Sequence, residues 1–271
     1  MPKPKNSIIR SPDTQSRPQA GAPKRAIIST PPYNPGLQKL VEGKQAWAFP
    51  LDDEAKAKGF LGWHQRGYLP HFDAPWVTQF ITLRLADSLP ASRRGEWEHL
   101  LKIEDDRERR RRLEAYLDLG WGECWLRQPP IAALVENALR FFDGERYTLA
   151  AWVVMPNHLH ILVEVWDTPL SKLAKSWKDF TARKANKLLR RRGGFWEREY
   201  LDTLIKGEEH RRRAVRYIEH NPVKAKLVRS PADWPWSSAR FRDEFGRLKM
   251  AKGAATRVAG ASARSAGILP A

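Results

Sequence analysis

The chain is 271 residues long, room for one generous domain with extensions, and 42% hydrophobic content with twelve tryptophans excludes wholesale disorder. Lysine and arginine number 48 against 31 acidic residues, and the resulting net charge of +17 predicts a polyanionic partner, nucleic acid before membrane surface. The lone cysteine, Cys124, excludes an internal disulfide or a cysteine-cluster metal site, and with no secretory h-region and no run of roughly twenty apolar residues the expected setting is cytoplasmic, without a membrane partner.

Residues 1–61 read as a flexible, basic, proline-rich extension, since the first 35 hold eight of the twenty prolines and one aromatic, Tyr33. An ordered domain is expected over 62–245. Trp76 to Leu85 alternates and is rich in β-branched and aromatic residues, a strand. Ser92 to Leu117 is highly charged with apolar residues at helical intervals, and Pro130 to Phe142 is a second helix ended by Asp143-Gly144. Tyr147 to Met155 and Leu159 to Trp166 are strands joined across Pro156-Asn157. A helix from Leu170 to Arg191, a short strand from Tyr200 to Ile205 and a helix from Glu208 to Glu219, closed by Asn221-Pro222, complete the domain. The small, polar segment 246–271 reads as a disordered tail. The order predicts an α+β, ferredoxin-like (split βαβ) antiparallel sheet with helices on one face, plus an extra helical insert and flexible termini. That fold hosts many functions, so the site must decide.

The sharpest local feature is Met155-Pro-Asn-His158-Leu-His160. Side chains alternate along a strand, so His158 and His160 share a face and can hold one divalent metal. The other reading is two ordinary histidines at a strand edge. A third ligand is needed, and Glu164 lies further along the same face. In the last helix, Tyr217 and Asn221 stand four apart on one face. A phenol with a pKa of about 10 is a poor nucleophile unless a cation lies near it, so Tyr217 is either a metal-assisted nucleophile or a core tyrosine. Tyr200 is the rival nucleophile.

The blocks Trp152-Val-Val-Met-Pro-Asn-His-Leu-His-Ile-Leu-Val163, Ser176-Trp-Lys-Asp-Phe-Thr181, Phe195-Trp-Glu-Arg-Glu-Tyr200, Tyr217-Ile-Glu-His-Asn-Pro-Val223 and Asp233-Trp-Pro-Trp-Ser-Ser-Ala239 together resemble the REP-associated tyrosine transposases of the single-tyrosine HUH superfamily. Tyr68-Leu-Pro-His-Phe-Asp73 and Arg84-Leu-Ala-Asp-Ser-Leu-Pro90 resemble one branch of that family. The resemblance covers about residues 62–242. It implies that His158 and His160 are the metal-binding pair, that Tyr217 is the nucleophile and that Asn221 completes a Mg²⁺ or Mn²⁺ site. It further implies a nuclease–transferase acting on single-stranded or hairpin DNA of palindromic repeats through a 5′-phosphotyrosine link, at the nucleoid, as a monomer or homodimer.

Between Lys172 and Arg192 nine basic residues face one acid, Asp179, and such a bias predicts a phosphate-contacting surface. Lys172, Lys175, Lys178, Arg183, Lys184 and Lys187 are its candidates, with Arg211, Arg212 and Arg213 adding charge before Tyr217 and Trp196 offering a stacking surface. The competing reading is a non-catalytic DNA- or RNA-binding module. Such a binder has no need of His158, His160, Tyr217 and Asn221 together.

Overall fold

The computed structural model describes residues 51–65, 69–103 and 105–249, so the expected extension through residue 50 and the tail from 250 lie outside the described residues. Described structure starts before Gly62. A short helix, α1 (Asp53–Lys58), is capped by Asp52 Oδ1, and Ala55 and Phe60 are buried in the main core. Two strands absent from the expected order, β1 (Gly62–Gln65) and β2 (Pro70–Asp73), form a small antiparallel pair.

The main sheet comprises β3 (Val77–Arg84), β4 (Tyr147–Val154), β5 (His158–Val165) and β6 (Leu201–Leu204), in the order β4-β5-β3-β6. All its pairings are antiparallel, the arrangement of a split βαβ unit. Two helices supply the crossovers. α4 (Pro129–Arg140) starts on two prolines, as a first turn tolerates, and buries Ile131, Ala132, Val135 and Leu139. α5 (Leu170–Leu188) buries Leu170, Leu173, Ala174, Trp177, Thr181 and Ala185, one stripe at helical spacing. Its first turn is closed by the buried Asp73 of β2, whose Oδ1 accepts from Leu170 N at 3.0 Å.

Residue alternation splits the sheet's two faces. Ile81, Leu83, Leu149, Trp152, Leu159, Ile161 and Val163 form a large core with α4 and α5. Ala151, Val153, Met155 and Leu162 turn the other way, against the helix α6 (Gly207–Lys224). The expectation of helices on one face therefore holds for α4 and α5 but not for α6. An amphipathic stripe says that a helix is buried, and does not say against which side.

Between β3 and α4 lies the expected helical insert, as two helices rather than one: α2 (Arg94–Leu101) and α3 (Asp106–Asp118). Asp105 restarts the helix by accepting from Glu108 N at 2.6 Å. Trp97, Leu113, Tyr116 and Leu117 form a small core of their own. The insert returns through Gly122, at φ +89°, where an added Cβ would lie 2.5 Å from the carbonyl oxygen of Asp87. The last helix also departs from expectation. α6 continues through Asn221-Pro222 to Lys224, because a proline so near the end removes one helical hydrogen bond without halting the turn. Leu248 bridges to Arg242 and packs partly on the core, so the first residues expected in the tail, 246–249, belong to the folded part.

Candidate active site

His158 and His160 leave β5 on the α6 side and are 1% and 0% exposed. Each ring is held by its Nδ1. His158 Nδ1 lies 2.8 Å from Asn157 Oδ1, and His160 Nδ1 lies 2.9 Å from the hydroxyl of Thr82, its cross-strand partner on β3. Asn157 is fixed in turn, its amide nitrogen donating to the carbonyls of Leu117 at 3.2 Å and Trp121 at 3.1 Å. That orientation makes Asn157 Oδ1 an acceptor, so the proton of His158 sits on Nδ1 and Nε2 carries a lone pair. Both Nε2 atoms are buried and have no hydrogen-bond partner. Burial, helped by the charge of Lys224, lowers His158 to about 3, while burial and the charges of His158 and Lys224 hold His160 well below its usual range. Near neutral pH both rings are neutral, the form that binds metal.

α6 carries Tyr217 and Asn221 to the same place, one turn apart. The Tyr217 ring lies 5.5 Å from that of His160 and 5.9 Å from that of Phe80, all within one chain. Its hydroxyl is buried beside Glu114 and Asn221 and makes no hydrogen bond of good geometry. Burial, then the carboxylates of Glu114 and Asp118, push the phenol far above its ordinary pKa. Asn221 is 1% exposed with both amide atoms unpartnered.

The structure adds three charged groups that sequence reasoning missed. Glu114 and Asp118, one turn apart on α3, reach the site from the insert, and burial raises the pKa of Glu114. Lys224, on the unexpected last turn of α6, donates to Asp118 Oδ2 at 2.7 Å and stands 5.6 Å from the centre of the Tyr217 ring. The i, i+4 spacing of the two acids was the available signal, but the same helix holds Glu108, whose partners Arg111 and Arg112 are solvent-exposed. Among the described residues, no three His, Cys, Asp or Glu side chains are gathered as a metal-holding group. Glu164 is taken up by Thr78, at 3.4 Å, and Tyr200 is buried in the core 4.6 Å from the His71 ring.

The expected DNA-contacting residues are not gathered around this cluster. α5 lies across the sheet from it, with Lys172, Lys175, Arg183, Lys184 and Lys187 exposed. Lys175 and Lys178 line a groove of about 340 Å³ together with Trp196, whose indole nitrogen donates to Thr181 at 2.8 Å. Arg211, Arg212 and Arg213 are on α6 itself, but each pairs with Glu208 or Glu209. The reason is local: a helix that begins Gly-Glu-Glu offers its own acids one turn before the arginines.

Residues 132–221 match the family model for IS200-like transposases. A REP-associated tyrosine transposase of Escherichia coli K12 is 30% identical over 98 residues, 34% of this chain and 54% of the relative. A Haemophilus influenzae protein assigned to the same group is 27% identical over 103 residues, 34% of this chain and 58% of the relative. The chain thus spans little more than half the length of the curated relatives it matches. A solved REP-associated tyrosine transposase bound to a REP hairpin aligns at 18% identity over 65% of this chain and 82% of that chain. Its TM-score of 0.39 is too low to carry the site across. The segment that matches the IS200-like transposase model carries the histidine pair, Tyr217 and Asn221, and the chain is similar to the REP-associated tyrosine transposases.

Proposed function

We propose that this chain is a metal-dependent single-stranded DNA endonuclease and strand transferase that acts on palindromic repeat hairpins through Tyr217. One observation carries the reading. His158 Nε2, His160 Nε2, the Tyr217 hydroxyl, both amide atoms of Asn221 and Asp118 Oδ1 are all buried without hydrogen-bond partners. Each such atom costs about 1–3 kcal/mol, so their concentration at one point marks a place built for an occupant rather than for stability. Two neutral imidazoles and an amide oxygen can hold one divalent ion, proposed as Mn²⁺ or Mg²⁺, with His158, His160 and Asn221 as the holding residues. Bound there, the ion supplies positive charge that polarises a phosphodiester and offsets the charge of a phenolate.

The remaining work falls to the chain. Tyr217 Oη bonds to the scissile phosphorus and loses its proton, with the Glu114 carboxylate beside it as acceptor. The P–O3′ bond breaks, the leaving oxygen takes up a proton as 3′-OH, and the DNA 5′ end stays on the tyrosine. A phosphotyrosine ester retains the energy of the bond it replaced, so the reverse attack by another 3′-OH rejoins strands. Positive charge for the hairpin backbone comes from Lys172, Lys175, Lys178, Arg183, Lys184 and Lys187 on α5, and Trp196 offers a ring at the groove. Acting on genomic repeats, the protein works at the nucleoid. The test incubates protein, Mn²⁺ and single-stranded hairpin DNA and looks for a protein–DNA adduct that survives denaturation. Wild type forms it and Tyr217→Phe does not; an adduct that persists in Tyr217→Phe sinks the reading.

A further inference from the structure

The cluster proposed above to hold a divalent ion contains two neutral rings and a neutral amide, which leaves both charges of the ion uncompensated in a buried place. Asp118 ends α3, the second helix of the insert, and its side chain is 14% exposed. Its Oδ1 lies 3.9 Å from His158 Nε2, too far for a hydrogen bond, and both atoms are buried without partners. Nitrogen and oxygen ligands stand about 2.0–2.2 Å from a small divalent ion, so a gap of this size spans two such bonds. The other oxygen, Oδ2, is held by Lys224 at 2.7 Å, which fixes the carboxylate and leaves Oδ1 directed at the histidine.

We infer that Asp118 is a further ligand of that ion, so that the insert supplies the anionic member of the metal site. The inference rests on the reading of His158, His160 and Asn221 as ligands. Glu114, one turn earlier, lies beside Tyr217 and is the control.

The experiment titrates Mn²⁺ into the full-length protein by calorimetry, without DNA, and records the electron paramagnetic resonance spectrum of the bound ion. Asp118→Asn is expected to bind Mn²⁺ on the order of 10–100-fold more weakly, with an altered spectrum and an unchanged thermal melt. Glu114→Gln is expected to stay within about threefold of wild type, and Lys224→Met, which removes a competing positive charge, to bind as tightly or more tightly. Wild-type affinity in Asp118→Asn, with binding lost in His160→Ala, overturns the role of Asp118 and leaves the histidine site standing. Weakening in Lys224→Met equal to that in Asp118→Asn also overturns it, because the ion pair and not the ligand would then carry the effect. No Mn²⁺ binding by wild type overturns the metal reading as well.

Discussion

The two faces of one sheet end in opposite states. On β5, Leu159, Ile161 and Val163 enter a core closed by α4 and α5, while His158 and His160, interleaved with them, enter a cluster of unpartnered polar atoms under α3 and α6. An apolar side chain needs only to be surrounded, whereas a buried polar atom needs a specific partner, so the second face bears a cost that the first does not. The difference separates residues that hold the fold from residues held by it.

His160→Ala tests this most severely. Hairpin cleavage, read from the covalent adduct, should fall by at least about a thousandfold, far out of proportion to the change in urea unfolding, where losing the ring and its bond to Thr82 is partly offset by removing a buried unpartnered nitrogen. His71 is the contrasting case, a buried polar residue fully satisfied, with Nδ1 at 2.6 Å from Asp202 and Nε2 at 2.9 Å from Glu199. His71→Leu takes the buried cation away from both carboxylates and should cost about 3–5 kcal/mol in urea unfolding. Burial opposes the charged ring, but its hydrogen bonds to the carboxylates of Asp202 and Glu199 outweigh it and raise His71 to about 9. A raised folded-state pKa means stability present in full below the ordinary value near 6.5 and lost as pH rises through about 9. Urea midpoints of wild type should therefore fall between those pH values, and those of His71→Leu should not. Ile161→Ala, on the closed face, should cost about 2–5 kcal/mol and leave the cleavage rate of the folded fraction unchanged. Removing charge from α5 should act least. Lys184→Gln with Lys187→Gln should flatten the salt dependence of hairpin binding by about one unit of slope for each phosphate no longer neutralised, with cleavage at saturating DNA unaltered.

The run from β3 to α6 was legible because strands of period two and helices of period 3.6 leave distinct marks, and His158-Leu-His160 follows from alternation alone. Tyr217 beside Asn221 follows from helical spacing. Glu114 and Asp118 were not legible, because in a helix of mixed charge nothing local separates an acid that faces a site from Glu108, which pairs in solvent. Lys224 was hidden by Asn221-Pro222, which reads as a stop that the helix passes through. The β1–β2 pair was missed for a third reason. Its four-residue strands are too short to show a period, and they are held by His71 and by Phe72 N donating to Asp202 at 3.0 Å, contacts that only the folded chain makes.

The 5.5 Å between the rings of His160 and Tyr217 has a kinetic consequence. On the proposed function, with histidines and tyrosine gathered within one chain, adduct formation is expected to be first order in protein, with no lag on dilution. Mixing Tyr217→Phe chains with His160→Ala chains should restore nothing, since neither can lend the other its missing half. That outcome would make one polypeptide the unit of the proposed activity, whatever number of copies gathers on DNA.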